Sequence, residues 1–394
     1  MLLPLSDAPN PRGVPVVTYL LIAANVLVYF LVTLPLGVRA PDLDDPALRE
    51  YLEVMLQFVP PGMDWRTVLG GISAYDVYVF EHGFRPAAPE WTDLLTSIFL
   101  HGGFMHLAGN MLFLWIYGDN VEHRMGWWWY LGAYLATGVA ATLFYSLFVG
   151  GSPLPLVGAS GAISGLLGFY FLWFPRNTVR LFVFLFPIFM NVVEIPARLV
   201  LGVYLIIDNL LPFLVSQGGG GGVAHGAHLG GFLAGLAMAW YWDRRELERG
   251  GEEYRTEAGA EDAEGAVGDS LGAALEEGDF SRAARLYFAI APVDTRGVLG
   301  AGNGLALADW LGGHGHPQAA LTVYRRHLRD YPRGPGLAEA HLGAGMIHLR
   351  ELGQLPAARQ HFLEALESGP DDAVERRARE GLARVKALQK FGGA

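Results

Sequence analysis

The stretch GASGAISGLLGFYFLWF, residues 158–174, sets a serine among small residues at the mouth of an apolar run. Small residues beside a membrane helix ordinarily serve packing, so the purpose of Ser160 depends on which polar side chains share its depth. Composition sets the frame for that question. Hydrophobic residues make up 52% of the 394 and charged ones 17%, a membrane composition diluted by a soluble part. The absence of cysteine excludes disulfides, thiolate metal sites and cysteine nucleophiles. A net charge of -11 offers no electrostatic footprint for nucleic acid.

From Val14 to Leu36 no residue is charged, which is length enough to cross a bilayer. The stretch is too long for a signal-peptide core and no small-residue cleavage site follows it, so it reads as an uncleaved span. Further spans are expected at 102–120, 127–149, 157–175, 197–216 and 225–242, six in all. The segment 179–193 is apolar but interrupted by Pro187, and reads as interfacial or half-inserted. Arg12, Arg124, Arg176, Arg180, Arg198, Arg244 and Arg245 fall to one side, while the loops around 150–157 and 217–224 carry no arginine. That asymmetry predicts cytoplasmic termini in a multi-pass plasma membrane protein, of the bacterial inner-membrane type.

Alternation then aligns the polar residues. Spans two, four and six all start on the outer side. His106 and Asn110 lie near the start of the second, Ser160 opens the fourth, and His228 lies near the start of the sixth. Polar groups in a membrane are costly and mark function or interhelical bonding. A serine hydroxyl is a weak nucleophile until a base takes its proton, and His228 supplies one if spans four and six pack together. Gly158, Ala159, Gly161 and Gly165 against Gly226, Ala227, Gly231 and Gly235 favour that contact. His106 and Asn110, spaced i,i+4, share a helical face and can both donate to an oxyanion. The Ser160 backbone N–H, near a helix N-terminus, is a further donor.

These motifs, HGGFMHLAGN (101–110), GDNVEHRMG (118–126), GASG (158–161) and AHLGGFLAG (227–235), resemble those of rhomboid intramembrane serine proteases, in order as well as content, over about residues 1–245. The resemblance implies Ser160 as nucleophile and His228 as general base, a dyad without an acidic third member. It implies His106 and Asn110 in the oxyanion hole, His101 and Glu122 as braces of the first loop and second helix, and no metal or organic cofactor. Two positions depart from the family pattern. Trp91-Thr92 stands where many members have Trp-Arg, and Ser164 stands where some place an aromatic that stacks on the base. Ser164 is expected to bond back to a carbonyl one turn earlier, with the His228 ring packing on another side chain.

Competing readings are weaker. His225 is a second candidate base, but AHLGG is the matching frame. No H-E-x-x-H occurs, which argues against a zinc protease. Asp119 and Asp208 lie outside recognisable aspartyl-protease motifs. Glu194 and Arg198 read as an i,i+4 ion pair, and Asp208-Asn209 as either an outer-end water contact or a polar path. A non-catalytic binder of membrane helices would lack the serine or the histidine, and a solute transporter should show inverted repeats or broken helices at mid-membrane.

After this domain, residues 246–268 read as a flexible acidic linker. Residues 269–394 carry an internal repeat, with Ala284/Phe288, Ala320/Tyr324 and Ala358/Phe362 in register at spacings of 36 and 38. Pro332 and Pro370 fall twelve after the core alanine, Ala291 and Ala365 seven after it, and Gly278, Gly315 and Gly353 mark upstream turns. The period resembles the tetratricopeptide unit. The expected fold is thus all-α, a six-helix rhomboid-like membrane bundle followed by a soluble solenoid of helical hairpins. Expected partners are the lipid bilayer, transmembrane protein substrates and a protein docked on the tail. The substrate, its cleavage site and the role of loop 39–100 are not encoded legibly.

Overall fold

A computed structural model of the chain describes residues 2–58, 65–185, 189–215, 224–258, 267–290 and 297–391. It divides into two compact units, residues 1–7 with 13–239, and residues 8–12 with 240–394. In the first unit the elements are β1 (Leu2–Ala8), α1 (Val16–Val28), α2 (Pro46–Met55), α3 (Ala74–His82), α4 (Phe104–Met125), α5 (Trp127–Val149), α6 (Ser160–Trp173), β2 (Thr178–Leu185), β3 (Phe189–Pro196), α7 (Ala197–Leu205) and α8 (Leu211–Val215). α9 (His225–Ala258) begins in this unit.

Among the described residues three helical stretches are long and apolar enough to cross a membrane: Val16–Gly37, Trp127–Val149 and Ala197–Val215. A fourth is added if Asp93–Phe99 and Phe104–Met125, bent by 94° at a short break, form one span. α6 is equally apolar but 14 residues long. Among the described residues, length and composition thus support at least three of the six expected spans.

The expectation of an all-α chain is corrected by a three-stranded sheet in the order β1-β2-β3. The segment 179–193, read as interfacial or half-inserted, forms most of the antiparallel β2–β3 pair. Its Val, Phe and Leu residues favour a pleated, half-buried surface. Alternation is visible, with Val179 and Leu181 buried and Arg180 between them exposed. Pro187 lies outside the described residues, as does most of loop 217–224. Glu194 faces Arg180 across the ladder and is in a strand, so helical i,i+4 geometry with Arg198 does not arise. Arg198 instead donates Nε to the Phe171 carbonyl at 3.3 Å.

Buried polar side chains tie the N-terminal segment to the helices. Tyr170 Oη and Asn120 Nδ2 both donate to the Asp7 carboxylate, at 2.5 and 2.8 Å. Glu122, 1% exposed, projects from α4 and accepts Val17 N–H, Thr18 N–H and Thr18 Oγ–H at 2.9, 2.8 and 2.7 Å. The first N–H groups of a helix have no intrahelical partner. A carboxylate from a neighbouring helix supplies acceptors for two of them and complements the local positive charge of the helix end.

Glycines bring α6 and α9 into backbone contact. A Cβ on Gly231 would lie 2.1 Å from the Gly161 carbonyl oxygen, one on Gly235 1.9 Å from that of Gly165, and one on Gly168 2.3 Å from that of Phe232. Dispersion and close packing hold helices together where the solvent is itself apolar, and here no side chain fits between the backbones.

The second unit contains three helical hairpins and a final helix: α10 (Val267–Glu276) with α11 (Phe280–Ala289), α12 (Ala301–Gly313) with α13 (Pro317–Asp330), α14 (Leu337–Arg350) with α15 (Leu355–Glu367), then α16 (Asp372–Phe391). The repeated Ala284, Phe288, Ala320, Tyr324, Ala358 and Phe362 occupy the second helix of each hairpin and are all at most 2% exposed. Gly278, Gly315 and Gly353 have φ of +72°, +86° and +64°, the left-handed turn that lets each hairpin close. Ala291 lies outside the described residues. Of the stretch read as linker, residues 246–258 continue α9 as helix, and 259–266 lie outside the described residues.

Two substitutions test these contacts. Gly235→Ala should destabilise the folded state by about 1–3 kcal/mol, the usual cost of overpacking. Gly132→Ala, whose Cβ meets nothing within 4 Å, should be neutral or stabilising, since alanine is the better helix former; equal effects in a reversible unfolding assay in bicelles would contradict the close approach. Glu122→Gln, which replaces a shared acceptor by an amide, should cost about 1–3 kcal/mol in the same assay.

Candidate active site

Ser160 is the first residue of α6, and His228 lies in the first turn of α9. The glycine contact between the two helices brings these ends together: His228 Nε2 stands 2.8 Å from Ser160 Oγ. Both side chains are half-buried. The His225 ring, the other sequence candidate, lies 6.5 Å from that of His228 between centroids, and the serine hydroxyl is bonded to His228.

The tautomer of His228 follows from a third residue. Asn209 Nδ2 donates to the Tyr204 carbonyl at 2.8 Å, which settles the direction of its amide. Its Oδ1 therefore faces His228 Nδ1, at 2.6 Å, and an amide oxygen can only accept. Nδ1 must carry the proton, leaving the Nε2 lone pair for the Ser160 hydroxyl. Asn209 is 1% exposed and sits in a π-helical turn, Ile206–Leu210, between α7 and α8. Such turns are rare and cluster at functional sites. In the sequence Asn209 stands out as polar at an apolar depth, but its partner is not deducible there; the polar intrusion itself was the available signal.

Ser164 departs from its expected back-bond. Its Oγ instead pairs with Tyr204 Oη at 2.8 Å. Tyr204 lies beside His228, with ring centroids 6.3 Å apart and planes inclined by 31°. An aromatic ring is thus delivered next to His228 from α7, and the small residue on α6 leaves room for it.

His106 and Asn110 gather around Gly158, two residues before the serine. A Cβ there would lie 2.7 Å from both Cε1 and Nε2 of His106 and 3.7 Å from Asn110 Nδ2. With φ of +120°, Gly158 holds a backbone conformation that L side chains rarely adopt. Its N–H donates to the Ser97 carbonyl at 2.8 Å. Asn110 Nδ2 is 3.0 Å from His101 Nε2, and since an amide nitrogen has two hydrogens, one remains for another acceptor. His101 is fully buried; its backbone N–H and carbonyl both bond the Tyr75 hydroxyl, at 3.1 and 2.8 Å. The first loop is thus tied to α3 by Tyr75, while Trp91 is 87% exposed. Loop 39–100, unassigned by sequence, contributes α2 and α3, with Arg85 reaching Glu50 at 2.5 Å and lying over the Phe80 ring.

This arrangement places a hydroxyl, an imidazole with its lone pair directed at that hydroxyl, and two further polar side chains around one helix mouth. Residues 88–245 match the family model described as Rhomboid domain. The chain is 36% identical over 153 residues to the rhomboid protease GluP of Bacillus subtilis, covering 39% of this chain and 26% of that one. It is 28% identical over 159 residues to rhomboid-type serine protease 2 of Emericella nidulans, covering 39% and 27%. Against rhomboid protein 1, mitochondrial, of Saccharomyces cerevisiae, identity is 30% over 152 residues, covering 38% and 41%. The chain thus spans between about a quarter and two fifths of the length of these curated relatives. These similarities support a rhomboid domain in a multi-pass membrane protein.

Tyr204→Phe removes the hydroxyl partner of Ser164 while keeping the ring. We expect a loss of about 0.6 kcal/mol, and no more than about 1.7, the range for hydrogen bonds between membrane helices. Unfolding in bicelles measures it, and a larger loss would mean that the hydroxyl serves more than Ser164.

Proposed function

We propose that the protein is an intramembrane serine endopeptidase that cleaves membrane-anchored proteins near the outer face of the bilayer. The observation that carries this reading is the 2.8 Å contact between Ser160 Oγ and His228 Nε2, with the base's other nitrogen held by Asn209. Two of the similar proteins bear protease names, which supports the same class.

In this reading a substrate segment enters between helices and unwinds locally, exposing a carbonyl. Ser160 attacks it as His228 Nε2 takes the hydroxyl proton. The oxyanion is held by His106, by the hydrogen of Asn110 not used on His101, and by backbone N–H groups at the start of α6. His228 then protonates the leaving amine, and water releases the acyl-enzyme. Asn209 is a positioning residue: it keeps Nδ1 protonated and the lone pair of Nε2 on the serine. The dyad of the sequence reading thereby gains a neutral third member. No metal or organic cofactor takes part in this cycle.

Six spans with cytoplasmic termini, the orientation that the arginine distribution favours, would open the site to the outer face. The tail would then be a cytoplasmic tetratricopeptide-like domain, for which the repeated buried Ala-x-x-x-aromatic pairs and left-handed turn glycines argue. A docking surface for a protein partner is the corresponding role.

Purified protein reconstituted with a fluorogenic transmembrane substrate tests the assignment. Ser160→Ala should abolish cleavage and labelling by a fluorophosphonate probe while leaving the fold intact; full activity in that variant would end the nucleophile assignment. Asn209→Ala should lower kcat at least about tenfold, a part of the ~10²–10⁴ that positioned proton transfer contributes. KM should stay constant, and Asn209→Asp, which retains an acceptor, should recover part of the loss. An unchanged kcat in Asn209→Ala would remove the positioning role and leave the dyad.

A further inference from the structure

The second unit holds a side-chain cluster that proteolysis does not use. His341 on α14 and His361 and Glu364 on α15 converge, with one ligand-type atom from each lying within 4.8 Å of the others. His341 Nδ1 stands 3.0 Å from His361 Nδ1 and 3.1 Å from Glu364 Oε2. We propose that this trio is a binding site for a divalent transition-metal cation, zinc foremost, in the tail's third hairpin.

A neutral imidazole has one N–H and one lone pair. If His341 carries its proton on Nδ1, that single hydrogen faces two acceptors at nearly equal distance. If His361 carries it on Nδ1 instead, the His341 lone pair points at a carboxylate oxygen that also only accepts. A neutral pair thus leaves acceptor against acceptor, or one hydrogen divided between two. A second proton on His341 would resolve the conflict as an ion pair with Glu364; a metal cation resolves it by accepting from all three donors at once.

Geometry agrees. Donors about 2.0–2.1 Å from a tetrahedral zinc lie about 3.3 Å from one another; two of the three separations fall within a few tenths of that, and the third is at most 4.8 Å. Two imidazoles and a carboxylate are a common zinc set, with water in the fourth place. Side-chain exposure of 13% for His341 and 27% for Glu364 leaves a route for water and ion.

The surroundings hold the donors in place. Glu364 Oε1 accepts from Gln360 at 3.3 Å, leaving Oε2 toward His341. The His348 ring stacks on His361, 5.4 Å between centroids and 13° between planes, and is itself oriented by Gln354 at 2.8 Å. Outer partners of this kind orient ligands and tune affinity. Gly345, one turn after His341, permits the approach of the two helices: a Cβ there would lie 2.7 Å from the Phe362 ring and 3.3 Å from His361 Cβ. His361 and Glu364 are three apart, so they share a helical face. The cluster is not legible in the sequence because His341 comes from a different helix, twenty residues earlier.

The test uses the full chain in detergent, without a histidine tag, stripped with chelator and titrated with zinc chloride by calorimetry. One equivalent should bind with micromolar or tighter affinity, and cobalt substituted for zinc should give the intense visible bands of a tetrahedral site. Glu364→Gln, nearly isosteric, and His361→Ala should each weaken zinc binding at least tenfold with unchanged circular dichroism. His314→Ala, in the same unit but outside the cluster, should bind like the wild type. Absence of stoichiometric binding, or equal affinity in wild type and Glu364→Gln, would overturn the site. Cleavage by Ser160 and His228 is read separately, so failure of one proposal does not touch the other.

Discussion

The first unit depends on one constraint: two helices must approach until their backbones touch. The carbonyl oxygens of Gly161 and Gly165 occupy space that a Cβ on Gly231 or Gly235 would need. Only glycine permits that distance, and only at that distance does an imidazole on α9 reach a hydroxyl at the head of α6. Inside a bilayer burial from water supplies no drive between helices, so close packing and interhelical hydrogen bonds have to. The same small residues that a packing argument would treat as ordinary therefore determine whether Ser160 and His228 can meet.

Around that contact the polar side chains form chains of support in which each residue limits the next. Tyr75 holds the backbone of His101, His101 engages Asn110, and Asn110 lies beside Gly158 with His106. On the other side Tyr204 positions the Asn209 amide, and Asn209 sets the proton on His228. A polar group in a membrane is tolerated when its partners are met internally. These chains meet that requirement and leave Ser160 Oγ and His228 Nε2 bonded to each other. Glu122 does similar work further down α4, where its carboxylate receives the free N–H groups of α1.

At Ser164 the aromatic expected on α6 is absent, and a ring near His228 comes instead from Tyr204 of α7, joined to Ser164 by a hydroxyl–hydroxyl bond. A one-dimensional motif registers only the missing aromatic. In the same way the segment 179–193 is found as the strand pair β2–β3, a secondary structure that apolar content alone does not specify.

What the sequence determined by itself is what depends on composition and local spacing. The apolar runs, the small-residue faces of α6 and α9, the i,i+4 pair His106 and Asn110, and the repeating Ala-x-x-x-aromatic positions of the tail were all readable, since each reflects periodicity along one helix. Tertiary structure alone decided the partners that cross between elements. Asn209 against His228, Tyr204 against Ser164, Glu122 under α1 and the meeting of His341 with His361 and Glu364 link residues whose separations carry no period. A hydrogen bond or a shared ion is set by where two backbones cross and which way a side chain leaves each of them, and neither quantity is encoded in the spacing of a single segment.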